Sequence, residues 1–325
     1  MRSPFRVDTS FHSSASEPIA SGWLGVGDGH EIYWEERGAS DGAPVVVVHG
    51  GPGGDIRPYY KRLLDPASHR GIFFEQRGCG RSRPSGELSG NNTKALIQDM
   101  ERLREHLGIE KWMLLGGSWG SALSLAYAQA HPERVRALVV SGVFLCREED
   151  TRWWWHGART VFPEVFAARD EFLTPVERDD PRAAFNARIA SLDPAISSPA
   201  AIMLSHVENQ MLDLWPPAPP ERPDVLDDSA ATASRILSWY DRHDFFLERD
   251  QLLRDAVRLA GIPGAIIAGR ADMCTPPKAA WDLAQAWPSA SLTIVAAAGH
   301  RWSDELLGGA IIREVARLTD ETSKG

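Results

Sequence analysis

Cysteine is scarce in this chain: Cys79, Cys146 and Cys274 are the only three in 325 residues. Their wide separation excludes a disulfide framework, and the lack of a Cys-x-x-Cys pair leaves no zinc pattern. Plain packing is the expectation for all three, with Cys274 the one that could be exposed. Runs of Lys and Arg are also missing, and the net charge is −9 with a pI near 5.6. A chain of that charge without a basic patch is not expected to bind nucleic acid. No apolar run approaches the roughly 18 residues of a membrane span, so no membrane partner is expected. Residues 1–23 are polar and lack the apolar stretch of a secretory signal, and with reduced thiols this points to a cytoplasmic setting. There are no internal repeats.

What is present is a chain long enough, at 43% hydrophobic content, for two domains or one large domain with an insertion. Residues 20–40 read as a β-hairpin turning at Gly27-Asp28-Gly29. Apolar, β-branched runs at 43–49, 71–76, 111–116 and 135–142 read as buried strands. Between them Leu96, Met100, Leu103 and Leu107 recur at helical spacing over 93–107, and a second helix is expected over 121–131. The rhythm breaks after Phe144. Residues 146–254 are rich in aromatic, Pro and charged residues without a core strand, and a Pro-rich segment at 215–220 reads as a rigid surface turn. Strands return at 265–268 and 292–296, followed by a helix over 304–318. The fold class is therefore α/β: a mostly parallel sheet flanked by helices, with a core of residues 1–145 and 255–325 and an inserted helical cap over 146–254.

Gly116-Gly117-Ser118-Trp119-Gly120 is a Gly-x-Ser-x-Gly pattern entered by a strand and left by a helix. That setting lifts the serine hydroxyl clear of the sheet and leaves the Trp119 amide free at a helix N-terminus. A hydroxyl needs a base to become a nucleophile. In this architecture the chain order is Ser, then acid, then His. Asp272 and His300 fit that order, each just past a strand, about 28 residues apart. The expected roles are nucleophile for Ser118, base for His300 and orienting acid for Asp272; taken singly, Asp272 reads as a turn cap and His300 as a loop histidine. His49-Gly50-Gly51-Pro52-Gly53-Gly54 lets a backbone amide approach a substrate oxygen. The oxyanion donors are expected to be the Trp119 and Gly51 amides, with Gly50 in reserve. This loop has neither the Lys-Ser/Thr of a P-loop nor dinucleotide spacing, so phosphate binding is discounted.

Together, His-Gly-Gly-Pro-Gly (49–53), Glu-Gln-Arg-Gly-Cys-Gly-Arg-Ser (75–82), Gly-Gly-Ser-Trp-Gly-Ser (116–121), the Gly-Arg-Ala-Asp and Gly-His segments and the Trp-Asp-Leu-Ala-Gln-Ala-Trp-Pro run (281–288) resemble the prolyl aminopeptidase (proline iminopeptidase) family of the α/β-hydrolase fold. The resemblance covers roughly 25–145 and 262–302. It implies release of N-terminal proline from peptides by a Ser–His–Asp triad, without metal or organic cofactor. It also implies that cap carboxylates bind the substrate amine, which is cationic and wants a counter-charge. One family glutamate lies in a segment like Arg-Ile-Glu-Asn-His-Tyr, which His-Val-Glu-Asn-Gln (206–210) matches with Glu208. The other lies in Trp-Ser-Xaa-Trp-Glu, and the stretch set against it here, 183–191, has no acid. Glu164 or Glu171 could replace it. Two further departures are His156, where relatives tend to have Glu, and Glu75, where they usually have Asp. Glu208 reads otherwise as a solvent-facing helix residue, and Trp153, Trp154, Trp155, Trp215 and Trp239 as ordinary cap core.

Three functions follow as expectations. The first is a peptidase acting on small peptides with N-terminal proline or a similar small residue. The second is a serine esterase or amidase on small acyl substrates without amine recognition, favoured by the missing glutamate. The third is a silent scaffold used for binding, which the complete set of candidate groups argues against. Epoxide hydrolase or dehalogenase chemistry wants a carboxylate where Ser118 stands.

Overall fold

The computed structural model describes residues 17–214 and 225–323. Gly27, Asp28 and Gly29 all take positive φ, so the chain reverses between β1 (Ala20–Gly27) and β2 (His30–Gly38) as the turn residues require. β3 (Ala43–Val48), β4 (His69–Phe74), β5 (Trp112–Ser118) and β6 (Val135–Val143) follow, with α1 (Thr93–His106) before β5 and α2 (Trp119–Ala130) after it. α2 begins two residues earlier than the apolar pattern suggests, because the strand passes into the helix at Ser118 with no intervening loop. Beyond β6 the described chain holds only helices until residue 264. These are α3 (Glu148–Trp155), α4 (Pro163–Phe172), α5 (Pro181–Ile189), α6 (Pro194–Leu212), α7 (Asp228–Asp241) and the short α8 (Gln251–Arg254). β7 (Gly264–Gly269), α9 (Pro277–Ala286), β8 (Ala290–Val295) and α10 (Glu305–Thr322) complete the order. The Pro-rich segment and Trp215 lie outside the described residues.

The eight strands form one sheet in the order β1-β2-β4-β3-β5-β6-β7-β8. β1, β2 and β4 pair antiparallel, and the pairs from β4 to β8 are parallel. Strand periodicity divides the core into two layers. Val46, Val48, Leu114, Leu138, Val140 and Ile266 face α1, α2 and α9. Their alternates, Val45, Val47, Met113, Leu115, Val139 and Ile267, face α10 through Leu307, Ile311, Val315 and Leu318. Burial on both faces explains why these strands are continuously apolar.

The helical insertion has smaller cores of its own. Trp155, Phe185 and Ala200 gather in one, and Phe162, Phe166, Val207 and Met211 in another. Trp153 and Trp154 pack against these clusters, whereas Ile236, Tyr240, Phe245 and Leu252 pack into the main core with Trp239 beside them. α7 and α8 are thus anchored on the sheet side. No helix among the described residues is long and apolar enough to cross a membrane.

Candidate active site

Ser118 ends β5 at φ 56° and ψ −127°, a backbone conformation costing on the order of 1–3 kcal/mol outside glycine. Close packing imposes this turn. A Cβ on Gly120 would lie 2.1 Å from the Val48 carbonyl, and one on Gly116 would lie 2.2 Å from the Gly120 carbonyl. Glycine at both positions lets α2 start directly against β3 and β5. On the third side the Trp302 ring fills the space where a Gly117 side chain would stand.

Asp272 lies three residues past β7 and is fully buried; His300 lies five past β8. His300 Nδ1 donates to Asp272 Oδ2 at 2.7 Å. Thr275 completes the carboxylate's shell: its N–H donates to Oδ1 at 2.8 Å and its hydroxyl to Oδ2 at 2.9 Å. Ser118 and His300 flank the same strand end. Ser118 pairs with Val143 across the β5–β6 ladder, and the His300 ring lies 2.9 Å from the position of a Gly142 Cβ. The two side chains make no hydrogen bond to each other. Such bonds are often long without substrate and tighten in the complex.

The C-terminal turn of α6 holds both loops. The His300 N–H donates to the Leu212 carbonyl at 2.7 Å, and the Met273 N–H donates to the Met211 carbonyl at 3.2 Å. Helix-end carbonyls that lack intrahelical partners are thereby satisfied. Asp213 pairs with Arg301 at 2.7 Å, and Arg301 also reaches Asn209. Glu208, one turn earlier on α6, is half-buried, and its charge is felt at His300, Arg301 and Cys274. Burial raises its pKa, and His300 and Arg301 only partly offset this. Glu164 and Glu171 are exposed on α4, and His156 is exposed at the end of α3. Cys274 is half-buried, not exposed; burial, with Glu208 and Asp272 nearby, keeps its thiol well above the usual range and hence protonated.

The glycine loop wraps the serine from the other side. A Cβ on Gly50 would lie 3.2 Å from that of Ser118, and Gly51 has φ +119°, open only to glycine without strain. Glu75 is buried and bound by the Arg81 guanidinium and amide, a structural role at the end of β4. Among the described residues, no three His, Cys, Asp or Glu side chains gather as a metal-binding set.

Thr275, Asp213 and Gln76 are the site's neighbours that sequence reasoning missed. Only Thr275 left a signal, three residues after Asp272, where a hydroxyl residue commonly closes a side-chain turn.

A strand-ending serine, an Asp–His pair past the last two strands and a helical insertion above them define an α/β-hydrolase. Residues 43–302 match the family described as "alpha/beta hydrolase fold". A proline iminopeptidase of Xylella fastidiosa is 43% identical over 289 residues, covering 87% of this chain and 91% of the relative. A probable proline iminopeptidase of Leptolyngbya boryana is 39% identical, covering 96% of this chain and 98% of the relative. The chain belongs to the proline iminopeptidase family of serine hydrolases. Its fold is shared with the crystal structure of a proline iminopeptidase from Mycobacterium smegmatis, at a TM-score of 0.60 and 18% identity over 93% of this chain and 99% of that one.

Proposed function

We propose that the protein is a serine peptidase that releases an N-terminal proline, or a similar small residue, from short peptides. Ser118 attacks the scissile carbonyl while His300 takes its proton, and Asp272 holds the imidazole with Nε2 facing the serine. Charge developing on the carbonyl oxygen is received by the Trp119 and Gly51 amides. Gly51 is taken as the second donor, with Gly50 in reserve. His300 then protonates the leaving amine, and water repeats the cycle on the acyl-enzyme. The helices of 146–254 act as a cap over a core of 1–145 and 255–325. The observation carrying this reading is the 2.7 Å Asp272–His300 bond at the carboxyl edge of the sheet, beside the strained Ser118 turn.

Glu208 is the group assigned to the substrate amine, because it lies on α6 one turn before the carbonyl that holds the His300 loop. A different match to the family patterns fits the helices better. Leu204-Ser205-His206-Val207-Glu208 on α6 agrees with Trp-Ser-Xaa-Trp-Glu at Ser and Glu. Arg235-Ile236-Leu237-Ser238-Trp239-Tyr240 on α7 agrees with Arg-Ile-Glu-Asn-His-Tyr at Arg, Ile and Tyr, and puts Leu237 in the glutamate's place. The amine would then meet one carboxylate, with leucine in the place of the second. That loss, together with Arg301 near Glu208, favours a second reading: an esterase or amidase on small acyl substrates.

The test is a panel of proline naphthylamide, its N-blocked analogue and a short-chain nitrophenyl ester. The peptidase reading expects preference for the free amine, with KM for it rising roughly tenfold or more in Glu208→Gln, as expected for a lost charge-assisted bond. Equal turnover of the blocked substrate would favour the esterase. Ser118→Ala should lower kcat by roughly six orders of magnitude on every substrate; full activity in that variant would end both readings.

A further inference from the structure

Gln76 stands two residues past β4, outside the set of reacting groups, yet its side chain joins the two arms assigned to the oxyanion. Its carbonyl Oε1 accepts from the Trp119 indole N–H at 2.8 Å. Its Nε2 donates to the His49 carbonyl at 2.9 Å, one residue before the glycine pair. Its own backbone N–H donates to His49 Nε2 at 3.0 Å. A backbone N–H can only donate, so that imidazole nitrogen is unprotonated, and Nδ1 is left to donate to the Gly50 carbonyl at 2.8 Å. Burial lowers the His49 pKa, in keeping with a neutral ring. Gln76, Trp119 and His49 are all buried, so each bond is made without competition from water.

We infer that Gln76 is a positioning residue that sets the spacing between the Trp119 and Gly51 amides. The inference rests on the serine-peptidase reading above. A carboxamide supplies an acceptor at one terminal atom and a donor at the other: a carboxylate lacks the donor, an ammonium lacks the acceptor, and an apolar chain lacks both. Trp119 carries one proposed amide on its own backbone, and its indole is what Gln76 grips. His49 begins the loop that carries the other. Direct packing between these arms at Gly120 and Val48 brings them into contact. The carboxamide adds a directional tie that fixes how the loop is turned. Amides aimed at an oxyanion act on charge that appears only in the transition state, so a loosened pair should lower kcat and leave substrate affinity in place.

The experiment compares Gln76→Met, similar in size but without both bonds, with Trp119→Phe, which keeps the backbone amide and removes the indole N–H. Steady-state kinetics on proline naphthylamide give kcat and KM, and thermal melts record folding. Gln76→Met should lower kcat about tenfold to a hundredfold, less than deleting an oxyanion donor outright, with KM within about twofold. Trp119→Phe should act in the same direction. The double variant should lose less than the product of the single losses, because both break one linkage. Folded Gln76→Met with unchanged kcat, or losses in the two single variants that multiply in full, would overturn the inference. If Gln76→Met does not fold, Trp119→Phe at wild-type kcat overturns it alone. Failure of the serine-peptidase reading is distinguished separately, by activity surviving in Ser118→Ala.

Discussion

Burial presses the His300 pKa down, while Asp272, and after it Glu208 and Asp213, lift it by more, so the net direction is up from the usual 6.5. As the proposed general base, His300 must be unprotonated, so activity is expected to be lost as pH falls through the raised value. The rate of fluorophosphonate labelling against pH should therefore show an acid limb with an apparent pKa above about 6.5, the free imidazole value. Asp213→Asn and Glu208→Gln each remove a negative neighbour, and each should move that limb to lower pH; an unmoved limb in both would contradict the charge assignment. The stability sign is opposite to the activity sign. A raised native pKa stabilises the fold fully below the unfolded value near 6.5, and that contribution is lost as pH rises through the native one. Ser118 offers a second measurement at this scale. Its positive φ is no burden to glycine, so Ser118→Gly should abolish turnover and stabilise the fold by about 1 kcal/mol, read as a melting temperature up by a few degrees. Ser118, Asp272 and His300 were legible because a turn motif and a chain order constrain them. Leu212, Asp213 and Gln76 were not, since what they touch lies tens of residues away.

At the scale of elements, the site depends on α2 starting without a loop. Gly120→Ala would place a methyl 2.1 Å from a backbone carbonyl that cannot rotate away. Overpacking of this kind costs about 1–3 kcal/mol or more, so the melting temperature should fall by several degrees, with kcat lowered as the Trp119 amide shifts. A variant as stable and active as wild type would refute the packing argument. The strands were readable from continuous β-branched runs, because burial on both faces leaves only apolar residues. The start of α2 was read two residues late, because its first turn is made of motif residues, Trp119 and Gly120, whose apolar periodicity is hidden. The insertion was expected to be helical, but its individual helices were not placed. α4, α5 and α6 follow Pro at their first turns, but which faces they bury depends on one another and on the sheet.

Across the whole molecule, Arg77 ties the hairpin, α1 and the chain at Gly90 together. It is buried and bonds Asp99 on α1 through two nitrogens, at 2.6 and 2.9 Å. It also bonds Asp28 in the hairpin turn, the Val26 carbonyl and the Gly90 carbonyl. Asp99→Ala leaves a buried guanidinium without its main counter-ion, which should destabilise the fold by about 3–5 kcal/mol. Denaturant unfolding would measure it, and a loss below about 1 kcal/mol would show that water or Asp28 replaces the partner. By itself the sequence determined the alternation of strands and helices, the chain order of the proposed reacting groups and the loop geometries open only to glycine. Those follow from local sterics and from the periods of burial, which neighbours in the chain express. The tertiary structure alone decided that the end of α6 holds the histidine and aspartate loops, that Gln76 bridges two arms, and that Asp272 binds the His300 imidazole. Contacts of that kind join distant segments whose separation no local pattern records.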